Sequence, residues 1–317
     1  MNIKKYNNYE IFSVWNFKNT ALQNKILDNQ TSLMDITNKS YIENMIKIAQ
    51  NNPSNNFIIY ISSKSKIDEI QSIINNENKK VKNNKINNLK FKFFQTKERQ
   101  NWTFSGHIDS MKLEVIDKLL TNRKDAAFFD LDLLEDQKIV YNSLENAEKS
   151  KSKRYFINDI YDEKSQYWHS NTYQFSPKIL IFESNDKNQS FIQESLNLAQ
   201  ELTIPREYKK GEKYFNIHFC THLLTLKENN IISENQFNQI KSEYLQNKNN
   251  ENKLDEIEKN ISELYLNNLN KFDFVQNESK EFSEQFRGGS WADTAAQPAS
   301  KIKNDSISID NSVENSM

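Results

Sequence analysis

Along the first two hundred positions, short apolar runs alternate with apolar stripes at helical spacing. Residues 11–15 (Ile-Phe-Ser-Val-Trp) form a brief apolar run bounded by Asn and Lys, and predict a strand. Over about 36–50, Tyr41, Ile42, Met45 and Ile48 recur on one helical face. The stretch from Asn52 through Pro53 to Asn56 is a turn by composition. It leads into residues 57–61, a continuous apolar run of the kind that lies buried on both faces of a sheet. A helix is expected at 65–75, and a strand nearer a sheet edge at 89–94, where apolar residues alternate with lysines. Residues 107–121 are helical, with Met111, Val115, Ile116, Leu119 and Leu120 inward. The run 126–131 predicts a strand that ends in Asp-Leu-Asp, and 179–182 predicts another. A helix from about 188 to 202 turns Phe191, Ile192, Leu196 and Ala199 inward. From about 214 to 268 the chain reads as mostly helical and highly charged, with 253–269 a clear amphipathic helix.

Strands that alternate with helices predict an α/β fold with a mostly parallel central sheet and additional helices. In such sheets ligands bind beyond the carboxyl ends of the strands. The predicted organisation is one domain over 1–292, with a helical insertion at about 214–268. The segment 293–317 is rich in Ser, Asn and Asp, has little to bury, and predicts a disordered tail.

Composition narrows the function classes. The 317 residues carry 42 basic and 43 acidic side chains, a net charge of −1. That balance lacks the basic excess of a nucleic-acid binder, and the lysine clusters at 79–85 and 150–154 read as solvated loops. A single cysteine, Cys220, excludes an internal disulfide and a cysteine-based zinc site. Mean hydropathy is −0.84, and no run reaches the roughly eighteen apolar residues of a membrane span. The first ten residues, MNIKKYNNYE, lack the apolar core of a secretory signal. The expectation is synthesis in a bacterial cytoplasm, with any export through a route that needs no cleaved signal. The Asn-, Lys- and Ile-rich usage suits an AT-rich genome.

The candidate chemistry centres on Phe128-Phe129-Asp130-Leu131-Asp132-Leu133-Leu134. If this segment is extended, Asp130 and Asp132 share one face while Leu131 and Leu133 share the other. Two close carboxylates repel unless a cation lies beside them, and their hard oxygens suit Mn²⁺ or Mg²⁺. Such an ion could grip a diphosphate and take up charge on a leaving group. On the preceding helix Asp109 and Lys112 stand three apart, hence on one face. If that helix runs antiparallel to its strand, they reach the same strand end; otherwise they are a surface ion pair of little worth. Trp15 ends the first strand and offers a flat face for a nucleobase, or else packs in the core. Near the end, Gly288-Gly289-Ser290-Trp291 holds two of only four glycines in the chain, beside two hydrogen-bond donors that can reach phosphate. His218 and His222, four apart with no acidic residue between, read as ordinary helix histidines rather than a zinc site. Walker, GxGxxG and GxSxG motifs are absent.

Val14-Trp15, Ile108-Asp109 with Lys112, Phe128 through Leu134, and Gly288 through Trp291, in this order, resemble the DXD sugar-binding glycosyltransferases. That family has the GT-A nucleotide-sugar-binding fold. It includes the glucosyltransferase domains of large clostridial toxins and the fungal outer-chain mannosyltransferases. The resemblance implies that Trp15 stacks on uracil and that Asp109 and Lys112 hold the transferred sugar. It implies that Asp130 binds ribose and sugar hydroxyls, Asp132 binds Mn²⁺, and Ser290 with Trp291 covers the diphosphate. Lys112 stands where the family has arginine, which removes a bidentate fork. Where the family has Gly-Gly before the DXD strand, this chain has Lys124-Asp125-Ala126-Ala127. The implied activity is retaining transfer of a hexose, glucose or N-acetylglucosamine, from a UDP-sugar. The implied acceptor is a host protein met by a secreted bacterial effector or toxin. The alternatives are a polysaccharide glycosyltransferase, a catalytically inactive scaffold on the same fold, and a phosphatase that uses the first aspartate as nucleophile.

Overall fold

In the computed structural model the described residues are 8–15, 43, 45–51, 53, 56–80, 86–97, 99, 102, 104–135, 137–160, 175–205, 213–214, 217–272 and 275–277. The predicted tail, the Gly288–Trp291 motif and part of the first predicted helix lie outside them.

Among the described residues, seven strands build the main sheet. They are β1 (Tyr9–Trp15), β2 (Phe57–Ile61), β3 (Leu89–Phe93), β4 (Asp125–Phe129), β5 (Arg154–Ile160), β6 (Phe175–Phe182) and β9 (Val275–Asn277), in the order β3-β2-β1-β4-β6-β5-β9. β7 (Ile204–Pro205) and β8 (Lys213–Tyr214) pair antiparallel in a separate ribbon. β3, β2, β1 and β4 run parallel. β6 runs against both of its neighbours, and β9 is parallel to β5. The fold is therefore a mixed, mostly parallel α/β sheet flanked by helices, a Rossmann-like architecture. β3 takes an edge, as its alternating lysines predict, and Lys90 faces solvent there.

Both faces are covered, which is why the central strands read as unbroken apolar runs. One face presents Phe12, Tyr60, Ala126, Phe128, Leu180 and Phe182 to α3 (Phe104–Thr121), α5 (Asp186–Leu202) and α6 (Ile217–Glu228). The other presents Phe57, Ile59, Ile61, Ala127, Phe129, Ile179 and Ile181, all essentially buried. The short helix α1 (residues 45–51), α2 (Lys64–Lys80) and α4 (Gln137–Lys149) complete the first half of the chain. α2 packs on β2 and β3, and α4 on β5 and β6. α7 (Glu234–Gln246) and α8 (Glu251–Leu266) extend the first face through α6, so the charged 214–268 segment is helical as expected. A Ser233–Gln236 capping box starts α7 and satisfies two otherwise orphaned backbone donors.

The strand expected to run to Leu131 stops at Phe129, and Leu131–Glu135 is a 3-10 helix. Leu133 N–H donates to the Asp130 carbonyl at 3.0 Å, closing the turn. Leu133 and Leu134 are both buried, which two successive residues of a half-exposed extended segment cannot achieve. Asp130 and Asp132 are thus not set on one face by strand alternation. The backbone there turns at about three residues per turn instead.

Two polar clusters tie elements together. Arg154, wholly buried at the start of β5, makes a bidentate pair with Glu228 at the end of α6, with Nη1 at 2.5 Å and Nη2 at 3.1 Å. Its guanidinium also lies 4.2 Å over Phe191 and bonds Asn188 on α5. Across the sheet, Glu10 on β1 accepts from Tyr60 on β2 and from Lys92 on β3 at 2.9 Å.

Candidate functional site

The order of strands locates the ligand edge. From β1 the chain steps outward to β2 and β3, then returns to lay β4 on the other side of β1. That reversal is a topological switch point, and the crevice outside the carboxyl ends of β1 and β4 is where such sheets bind ligands. Trp15 is the last residue of β1, and Asp130 is the first after β4.

Helix α3 brings two further residues to this edge. It runs antiparallel to β4, reaching the amino edge at Thr121 and passing through a tight link into Asp125. Arg123 takes a left-handed φ of 56° in that link. The buried stripe of Met111, Val115, Ile116 and Leu119 fixes the rotation of α3 about its axis. That rotation turns Lys112 onto the sheet, with its ammonium 4.9 Å over the Phe128 ring. The Lys112 Nζ lies 3.2 Å from Asp109 Oδ1 and 3.3 Å from Asp130 Oδ1. One cation on α3 therefore joins a carboxylate on its own helix to the carboxylate at the end of β4.

The burial of this triad separates it from a surface pair. The Lys112 side chain is 5% exposed, Asp109 20% and Asp130 29%. Burial alone would lower the Lys112 pKa; the charges of Asp130 and then Asp109 more than offset it, and the ammonium is held above its ordinary value. Burial raises Asp109 above the usual carboxylate range, against the pull of Lys112. A perturbed buried acid–base cluster at a ligand edge is the pattern of a functional site.

Residues not singled out from sequence also gather here. The Asp130 N–H donates to the Lys178 carbonyl across β6 at 2.8 Å, and Lys178 is 8% exposed. The chain leaving the carboxyl end of β3 is fastened to α3. Glu114 takes an ion pair from Arg99, the Lys97 N–H at 3.2 Å and the Ser110 hydroxyl at 3.0 Å. Arg99 in turn lies 4.9 Å over Trp102, whose ring is 6.2 Å from His107. The partners of Glu114 are up to seventeen residues away, and no local motif announces them.

Of the residues expected to act together, Asp109, Lys112 and Asp130 meet directly. Asp132 follows on the 3-10 helix, and its side chain is outside the description. Trp15 shares the edge but not the face. It pairs in register with Ile61, whose face is opposite that of Phe12 and Phe128, and strand alternation sets Trp15 there too. Ser290 and Trp291 lie outside the described residues. His222 is a core residue stacked on Tyr265 at 3.8 Å, and Cys220 is buried nearby; burial raises the thiol pKa beyond any reactive range.

Among the described residues no three His, Cys, Asp or Glu side chains converge on a metal position, and no helix is long and apolar enough to cross a membrane. A cavity of about 550 Å³ opens at the opposite, amino edge, lined by Tyr9, Arg123, Lys124, Asp125, Glu148 and Glu183 among others. It is polar and remote from Asp130. No protein-family model, curated protein or solved structure matches this chain.

Proposed function

We propose that this protein is a metal-dependent glycosyltransferase of GT-A type that draws a hexose from a UDP-sugar. The observation that carries this reading is the buried Asp109–Lys112–Asp130 triad beside the β1–β4 switch point. A surface ornament would not be buried over Phe128. Asp130 is 29% exposed, which leaves its carboxylate open to a ligand.

The positions support distinct tasks. Asp109 and Lys112 present a carboxylate and an ammonium to sugar hydroxyls, and Lys112 fixes the direction of Asp130 toward ribose and sugar. Trp15 lies across the tip of the sheet from them. A ligand that touches both must straddle that tip, as an extended molecule with a base at one end and a sugar at the other would do. Asp130 and Asp132 are hard oxygen donors that suit Mn²⁺ or Mg²⁺, and the diphosphate would complete the shell. The ion, when bound, neutralises charge on the leaving diphosphate. Ser290 and Trp291 are assigned to cover that group, and retention of anomeric configuration is assigned, from family resemblance alone. An acceptor on a host protein, reached as a secreted effector, completes the proposal.

A panel of UDP-sugars assayed for Mn²⁺-dependent hydrolysis tests it, with Asp132→Asn as control. The expected result is slow hydrolysis of one donor, lost in the variant while its melting curve is unchanged. If the panel shows no hydrolysis, and UDP with Mn²⁺ leaves the wild-type melting temperature unmoved, the reading fails.

A further inference from the structure

Charged contacts hold α3 on two flanks. Glu114 stands two residues beyond Lys112, about 200° further around the helix, so the two side chains leave it in roughly opposite directions. Lys112 reaches the tip of β4. Glu114 reaches the connection from β3 to α3, described at residues 94–97, 99 and 102. That connection starts where the Phe94 N–H extends the ladder to the Ile61 carbonyl at 2.9 Å. Phe94 and Trp102, toward its two ends, are both buried. Between them the chain is fastened to one carboxylate. Glu114 Oε2 accepts the Lys97 N–H at 3.2 Å, and Oε1 accepts from the Arg99 guanidinium and from the Ser110 hydroxyl at 3.0 Å. The Arg99 and Glu114 side chains are 10% and 8% exposed. Water therefore screens the pair little, and loss of one partner leaves the charge of the other poorly compensated. Ser110 directly follows Asp109 in the chain. The carboxylate that fastens the connection thus also grips the turn of α3 that carries Asp109.

We propose that Glu114 is a positioning residue of the site, acting through α3. The apolar stripe decides which face of the helix meets the sheet, but apolar burial is non-directional. Directed contacts on opposite flanks set the fine position, so that Lys112, with Asp109 beside it, arrives within reach of Asp130. This deepens the glycosyltransferase reading and rests on it for the claim that Asp109 and Lys112 hold the sugar.

Glu114→Ala in the full chain tests the placement. Calorimetry with UDP and Mn²⁺, and then with the UDP-sugar that the donor panel selects, separates positioning from support. UDP lacks the sugar that Asp109 and Lys112 hold, so its affinity should be unchanged. The UDP-sugar should bind about tenfold more weakly, the order expected for one hydrogen bond to a charged group. Arg99→Ala should reproduce that split. Glu114→Gln, which keeps an acceptor for Lys97 and Ser110, should fall between Glu114→Ala and wild type. Equal losses for UDP and UDP-sugar would make Glu114 a support of the fold alone and overturn the proposal, as would wild-type affinity for both. A crystal structure of Glu114→Ala gives a readout that needs no ligand. The Lys112–Asp109 contact within the helix should persist, while the 3.3 Å contact from Lys112 to Asp130 opens. An unmoved Lys112–Asp130 contact overturns the inference whatever the donor panel shows. Failure of the panel in wild type, with that contact opened in the variant, instead sinks the glycosyltransferase reading and leaves Glu114 as the residue that places α3. Should Glu114→Ala fail to fold, Glu114→Gln carries the same binding and structural comparisons.

Discussion

Replacing Lys112 by methionine is the sharpest probe of whether the triad is a buried device or a decorated surface. Methionine keeps most of the stem over Phe128, so the packing loss is small and the change is chiefly electrostatic. The two carboxylate oxygens that contact Nζ at 3.2 and 3.3 Å must lie within about 6.5 Å of each other. Without the ammonium between them, two unit charges at that separation repel by about 2.5 kcal/mol at an effective dielectric near 20. The lost attraction adds to this. The side chains of Asp109 and Asp130 are 20% and 29% exposed, so water screens part of the sum. The expected destabilisation is about 3 kcal/mol, at the lower edge of the roughly 3–5 kcal/mol seen when a buried pair loses a partner. Exposed pairs cost about 0–1 kcal/mol. For a chain of this size 3 kcal/mol corresponds to a fall of about 4–5 °C in Tm. Urea denaturation of wild type, Lys112→Met, Asp109→Asn and the double variant closes a thermodynamic cycle. In the Asp109→Asn background the cost of losing Lys112 should drop to about 1 kcal/mol, since only one carboxylate is then left without its cation. Asp109→Asn alone should be nearly neutral, because burial already holds that carboxyl above its ordinary pKa and so disfavours its charged form. A loss below about 1 kcal/mol for Lys112→Met would show that the pair is solvated, and the case for a functional cluster on α3 would go with it.

Two further outcomes follow from other parts of the structure. Trp15→Ala should weaken UDP binding by about 1–3 kcal/mol, the worth of one stacked base; unchanged affinity in calorimetry would remove Trp15 from the site. His222 sets a pH dependence. Burial lowers its pKa to about 3 from the ordinary 6.5, so below pH 6.5 the unfolded chain takes up a proton that the folded chain refuses. Stability is therefore lost as pH falls through the window from about 6.5 to 3, by about 2–3 kcal/mol at pH 4.5. His222→Phe should flatten that slope without touching activity, and urea midpoints between pH 7 and 4.5 that fall as steeply in the variant would contradict the assignment.

What could be read from the sequence depended on how far apart the interacting residues lie. The strand at 57–61 was legible to the residue because burial on both faces leaves an unbroken apolar run between turn residues. The helix of Lys112 was legible from its stripe, though it begins at Phe104, earlier than its apolar pattern shows. The direction of β6 was not. Nothing in Ile179–Phe182 distinguishes a parallel strand from an antiparallel one, and the orientation shows only in its pairing with β4 and β5. The 3-10 turn was missed for a local reason. Asp130-Leu-Asp-Leu alternates like a strand, and only Leu134, buried directly after Leu133, breaks the period.

The charges of the site show the same division. Asp109 and Lys112 at i and i+3 look identical whether a helix lies on water or on a sheet. What decides is Phe128 beneath the ammonium, sixteen residues away. The Lys178 carbonyl is forty-eight residues from Asp130 and accepts its N–H only because β6 turns back along β4. An all-parallel sheet would have set the opposite end of a neighbouring strand against the carboxyl tip of β4. The reversed strand β6 instead sets its own first half beside the place where β4 ends. In this fold α3 adds a cation to the ligand edge from above. Asp130 lies within reach of that cation, which is why its environment, more than the presence of a DXD string, bears the weight of the functional reading.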